Sequence, residues 1–279
     1  MTKEKAMALW DKLGSIGNVE DRRGLGAGAI GGGLGIAGVV ITLALNYFGI
    51  AVDPSLVTNT LNQLTGGNAS QQTGVQPEEF RGQDDYEKFA ATVLGSTNDT
   101  WRDIFAQNGE TYQEPKLVLF RGATQSACGG AVSQVGPHYC PADSTIYLDE
   151  TFFEELKALG GSSEDVAQAY VIAHEVGHHV QNISGQLASG TNEESVATEL
   201  QADCYAGIWA YSVKQLGVFE ENEIQEALDA AAAVGDDRIQ KQTGQRVNPE
   251  SWTHGSSEQR VAAFKAGYAN GSVSSCQYN

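Results

Sequence analysis

Positive charge is the scarcest resource in this 279-residue chain: 17 Lys and Arg stand against 35 Asp and Glu, a net charge of −18. Such a field repels phosphate backbones, so a nucleic-acid partner is excluded. No internal repeat is visible, which removes solenoids and arrays. Charge of either sign vanishes over residues 24–52, and no Lys or Arg follows from Asp53 until Arg81. Large apolar side chains are sparse in residues 53–79, where Thr, Asn, Gln, Gly and Ser dominate and the pattern of a tether appears.

The uncharged run exceeds the roughly 20 residues that cross a bilayer, and the expected span is residues 29–50. Its late start and the absence of a small-x-small site after it favour a retained anchor over a cleaved signal peptide or a buried soluble helix. Lys3, Lys5, Lys12, Arg22 and Arg23 precede it. The positive-inside rule then puts residues 1–28 in the cytoplasm and the soluble domain, residues 80–279, outside. Only four cysteines occur. Three pairings are open; export favours Cys128 with Cys140 and Cys204 with Cys276 over four buried thiols.

Periodicity predicts helices over residues 84–94 and 100–106, short strands over 116–120 and 145–148, and then almost unbroken helix: 152–159, 164–182, 193–216, 220–234 and 257–269. Ser162 and Asp165 have the spacing of a capping box ahead of the long central helix. The expected class is α+β, mainly helical with a small sheet, preceded by one transmembrane helix.

That central helix carries His174-Glu175-Val176-Gly177-His178. Residues four apart on a helix differ by about 40° in direction, so His174 and His178 can bind one zinc ion while Glu175 takes a proton from a metal-activated water. His179 points elsewhere and reads as a packed histidine. Gly177 is unfavourable inside a helix by roughly 1 kcal/mol unless another backbone approaches there. A third ligand is required, and Glu199 fits: if the helices end near residue 182 and restart near 193, His178 and Glu199 lie at similar heights, each about 6–9 Å from the turn. Asp203, one turn farther, is level with His174 and suited to hold its second ring nitrogen. For the oxyanion donor the sequence offers His254, with Tyr205 in reserve.

With these residues in hand the chain resembles the bacterial neutral zinc metallopeptidase family, anchored proteins with an HExxH domain. SACGGAVSQVGPHYCPADSTIYLDETFF, AYVIAHEVGHHVQNISG, ELQADCYAGIWA and THGSSEQRVAAFKAGYANG carry the likeness. Tyr139 stands where that pattern leads one to expect Phe. More distantly, HExxH, ExxxD and His-x5-Arg are similar to gluzincins of the CAAX prenyl protease type. That resemblance implies Glu199 as zinc ligand, Asp203 behind a zinc histidine, His254 at the oxyanion and Arg260 bracing the site. The function implied is peptide hydrolysis; the rivals are a binding module around a structural metal, which would need no Glu175, and a hydrolase of non-peptide amides. Peptide or protein is the expected partner, and the strand at 145–148 the expected edge for an extended substrate.

Overall fold

The computed structural model describes residues 10–23, 78–79, 84–162, 164–188, 190–219 and 223–278. Its sheet contains β1 (Val19–Asp21), β2 (Glu78–Glu79), β3 (Lys116–Phe120), β6 (His138–Cys140) and β7 (Thr145–Asp149) in the order β2-β1-β3-β7-β6. β1, β3 and β7 run parallel, with antiparallel β2 and β6 at the edges. A separate hairpin joins β4 (Ala123–Ser126) to β5 (Gly129–Val132). In β3 the sequence KLVLF is apolar at nearly every position because both faces are covered. Leu117 and Leu119, with Ile146 and Leu148, face the helical core, while Val118, Phe120 and Tyr147 pack with Ala131 of the hairpin and Cys140.

The helices are α1 (Asp85–Gln107), α2 (Phe152–Ala158), α3 (Asp165–Ile183), α4 (Asn192–Gln215), α5 (Ile224–Ala233), α6 (Asp236–Gln242) and α7 (Ser257–Asn270). The α+β, mainly helical reading therefore holds, but its transmembrane part is corrected. Among the described residues no helix is long and apolar enough to cross a membrane, and the expected span at 29–50 lies outside the described residues. The amino-terminal segment is itself part of the domain. β1 pairs with β2 and β3, and Trp10, Leu13 and Val19 are buried in the main core.

The same segment explains why one helix was read as two. At Gly95 a Cβ would fall 2.4 Å from the Ser15 carbonyl oxygen, so the glycine that interrupts the helical pattern of α1 is there to admit residues 15–17. Ser96 and Thr97, which also weaken the pattern, are satisfied by donating to the Val93 and Leu94 carbonyls. Two other expectations change. Glu164, not Ser162, is the N-cap of α3, and no side chain caps it; Ser162 Oγ instead accepts from the Glu164 N–H at 3.1 Å. β7 is internal, between β3 and β6, so an extended peptide cannot add to it; the sheet's edges are β2 and β6, and β6 is the one beside β7.

Trp10 ties the segment down. Its ring meets Phe89 edge-on at 5.3 Å and lies parallel to Trp209 at 6.5 Å, and its indole N–H donates to Asp165 at the start of α3. Trp10→Ala should cost about 3–5 kcal/mol, and a fragment beginning at residue 78 should lose cooperative unfolding in urea. Unchanged midpoints in both would mean that β1 is an appendage.

Candidate metal centre

α3 and α4 run side by side at short range because Gly177 faces Ala202: a Cβ at 177 would lie 3.0 Å from the Ala202 Cα and carbonyl oxygen. A capping box of Thr191 and Glu194 starts α4. The close pairing brings Glu199 across to the two motif histidines. Glu199 Oε2 is 3.2 Å from His174 Nε2, its Oε1 is 3.3 Å from His178 Nε2, and the two Nε2 atoms are 3.1 Å apart. The three residues offer donor atoms all within 4.8 Å of one another.

The protons in this cluster can be assigned. Asp203, fully buried, accepts from Arg260 Nε at 2.8 Å and Nη2 at 3.0 Å, and from the Tyr170 hydroxyl. It is held below the usual carboxylate range; burial opposes this, and Arg260 and His174 outweigh it. An ionised Asp203 can only accept, so His174 Nδ1, 2.8 Å away, is the donor. Gln181 Nε2 donates to the Thr198 carbonyl at 2.7 Å and to Gln201 Oε1 at 3.0 Å. Its Oε1 therefore accepts from His178 Nδ1 at 2.9 Å. With Nδ1 of each ring donating outward, the two Nε2 atoms face each other and the Glu199 carboxylate, and protons or a metal cation must sit among them.

The donor set of two imidazoles and one carboxylate is that of a catalytic zinc site, which keeps a position open. The open side faces a cavity of about 570 Å³, lined also by Glu175, His254 and Arg260. Glu175 is buried, and its Oε2 has no hydrogen-bond partner, an orphan that calls for a functional explanation. A second acidic group, Asp21, Asp84 and Glu87, needs no metal: the Arg23 guanidinium pairs with Asp21 and Asp84 and lies 3.7 Å from Glu87.

The family model described as "putative neutral zinc metallopeptidase" matches residues 8–278. The chain belongs to this family. Among its relatives is the Escherichia coli K12 protein called uncharacterized protein YpfJ, 41% identical over 290 aligned residues that cover 96% of this chain and 97% of its own. Another is uncharacterized protein Rv2575 of Mycobacterium tuberculosis H37Rv, 50% identical over 182 residues, 59% of this chain and 62% of its own. No solved structure matches.

In this neutral zinc metallopeptidase family member the remaining expected residues fall as follows. Arg260 meets Asp203, as above, and Glu199 Oε2 at 3.5 Å. His254 lines the cavity with its side chain 48% exposed. Tyr205 does not: its hydroxyl donates to Gln186 and its ring packs on Trp101, so the reserve oxyanion donor is withdrawn. His179 is buried away from the cluster, between Tyr139 and the Gln113 carbonyl. Cys128 is bonded to Cys140, and Cys204 to Cys276.

Sequence reasoning missed Tyr170, Gln181 and Asp236. Tyr170 is four residues before His174 and Gln181 three after His178, so extending the motif's own helix face would have found both. Asp236 gave no signal. It opens α6, a seven-residue polar helix without apolar period, and accepts from the backbone N–H groups of Thr253, His254 and Gly255 and from His254 Nδ1 at 3.1 Å.

Burial pulls the His174 pKa down, but Asp203 and Glu199 lift it to about 10. His178 is also raised; burial opposes, and Glu199 dominates. Protons and zinc compete for the same Nε2 lone pairs. Zinc affinity should therefore fall as pH falls, by about tenfold per unit for each proton displaced, with the slope steepening once His178 also carries one. Chelator competition between pH 6 and 9 measures it; a flat profile would remove the histidines from the metal shell.

Proposed function

We propose that the protein is a zinc-dependent peptidase with Glu175 as its general base. The observation that carries this reading is the buried, unpartnered Glu175 carboxylate oxygen on the wall of the cavity that the three-donor cluster shares. A structural metal would be closed by a fourth protein ligand and would need no base beside it.

Zinc held by His174, His178 and Glu199 would, when bound, supply Lewis acidity to water and to the scissile carbonyl. The chain's own residues do the rest. Glu175 takes the proton of the attacking water and returns it to the leaving amine. His254 donates to the oxyanion as the carbonyl becomes tetrahedral. Asp236 accepts from the His254 Nδ1–H, so donation to the oxyanion from Nε2 requires the doubly protonated ring. Arg260 stays on Asp203 and keeps that carboxylate ionised.

An extended peptide fits the cavity through β6, the edge strand whose His138 and Tyr139 form part of the wall. Val135, Phe152, Leu159, Val171, Val234 and Ile239 make much of the remaining lining apolar, with Ser195, Thr198, His138, Tyr139 and Tyr170 as its polar side chains, so apolar residues beside the scissile bond suit it best. Two disulfides suit an oxidising compartment as the place of action.

Glu175→Gln should bind zinc normally and lose cleavage of a peptide library by roughly 100- to 10,000-fold. Zinc binding without cleavage by either form would favour the binding module. His254→Ala should lower kcat by about 100- to 1,000-fold with little change in KM; a change confined to KM would make His254 a binding residue only.

A further inference from the structure

We propose that the carboxyl-terminal tail is a positioning part of the metal site, acting on His178 through Gln201 and Gln181. This rests on the reading of His174, His178 and Glu199 as metal ligands. It begins at the Cys276 carbonyl, which can only accept. Gln201 Nε2 donates to it at 3.0 Å, so Gln201 Oε1 is turned toward α3, where it accepts from Gln181 Nε2 at 3.0 Å. Gln181 Oε1 then faces His178 Nδ1 at 2.9 Å. Each amide has one orientation that matches both neighbours, and the proton direction runs uniformly from His178 to the tail. The Thr198 carbonyl, which takes the other Gln181 N–H, agrees in sense and leaves Gln201 to fix the amide's position.

Burial makes this relay stiff. Gln181 and Cys276 are fully buried, so water cannot readily replace a lost partner, and an amide proton left unpaired there is costly. The tail is fixed by the Cys204–Cys276 disulfide. Cys204 follows Asp203 on α4, the helix that also carries Glu199 and Gln201. One helix therefore bears a ligand, the partner of His174, the link to His178 and the anchor of the tail that completes the link. A tail serving stability alone would have no reason to end in the hydrogen bonds of a metal ligand.

The test is zinc affinity by chelator competition, with the thermal midpoint of the metal-free protein measured beside it. Gln201→Ala should weaken zinc by about 10- to 100-fold. The Cys204→Ala, Cys276→Ala pair should weaken it comparably, and the triple variant should be no weaker than the worse of the two. A lowered midpoint with zinc affinity unchanged in Gln201→Ala would overturn the proposal, as would losses that multiply in the triple variant. Should the cysteine variant fail to fold, Gln201→Ala decides by itself. Failure of the unaltered protein to bind zinc would instead remove the metal reading on which the relay rests.

Discussion

The buried Asp203 carboxylate is the constraint around which the site is arranged. A lone carboxylate at zero exposure would be prohibitively costly, and one partner is rarely enough. Asp203 has three: Arg260 through two nitrogens, the Tyr170 hydroxyl and His174 Nδ1. These come from α3 and α7, and Asp203 itself from α4, so the charge is satisfied only when all three helices are docked. Satisfying it also decides the chemistry, because an ionised Asp203 forces the proton onto Nδ1 of His174 and frees Nε2 for a metal.

The three helices reach this point by giving up side-chain volume. Gly177 admits α4 to α3. Farther along, a Cβ at Gly207 would fall 2.1 Å from the Phe264 carbonyl oxygen, and one at Gly267 would fall 1.9 Å from that of Cys204. Glycines that weaken α3, α4 and α7 as isolated helices are therefore what allow them to pack, and helix propensity is overridden by tertiary contact. Gly95 does the same for the amino-terminal segment on α1.

This explains which parts were legible in the sequence. Residues spaced three or four apart on one helix can be placed by geometry alone, and His174, Glu175 and His178 needed nothing else. Glu199 and Asp203 required only the length of one turn and an antiparallel neighbour. β3 and β7 were visible as short apolar runs. β1 was not: VED carries two acids in three residues, and its pairing in the sheet depends on partners such as Arg22 and Lys116, which neutralise Glu20. The uncharged run after it leads a reading of the sequence to start the soluble domain at residue 80, and β1 nonetheless pairs with β3. α6 and Asp236 were hidden for a related reason, since their role is to hold a loop through backbone N–H groups, and backbone donors leave no pattern in the residue types.

Glu175 differs from every other charged group at the centre. Asp203, Glu199 and Arg260 each have partners, and those partners decide their ionisation. Among the described side chains of this centre, Glu175 Oε2 is the one buried without a partner. A chain that satisfies Asp203 through two hydrogen bonds from Arg260, one from Tyr170 and one from His174 has the means to satisfy a second buried carboxylate. Leaving it open costs stability, and the cavity on which it opens is where a water proton would be abstracted. Under the proposed reading, the unpaired oxygen is stability forgone at an atom where a partner would block proton abstraction.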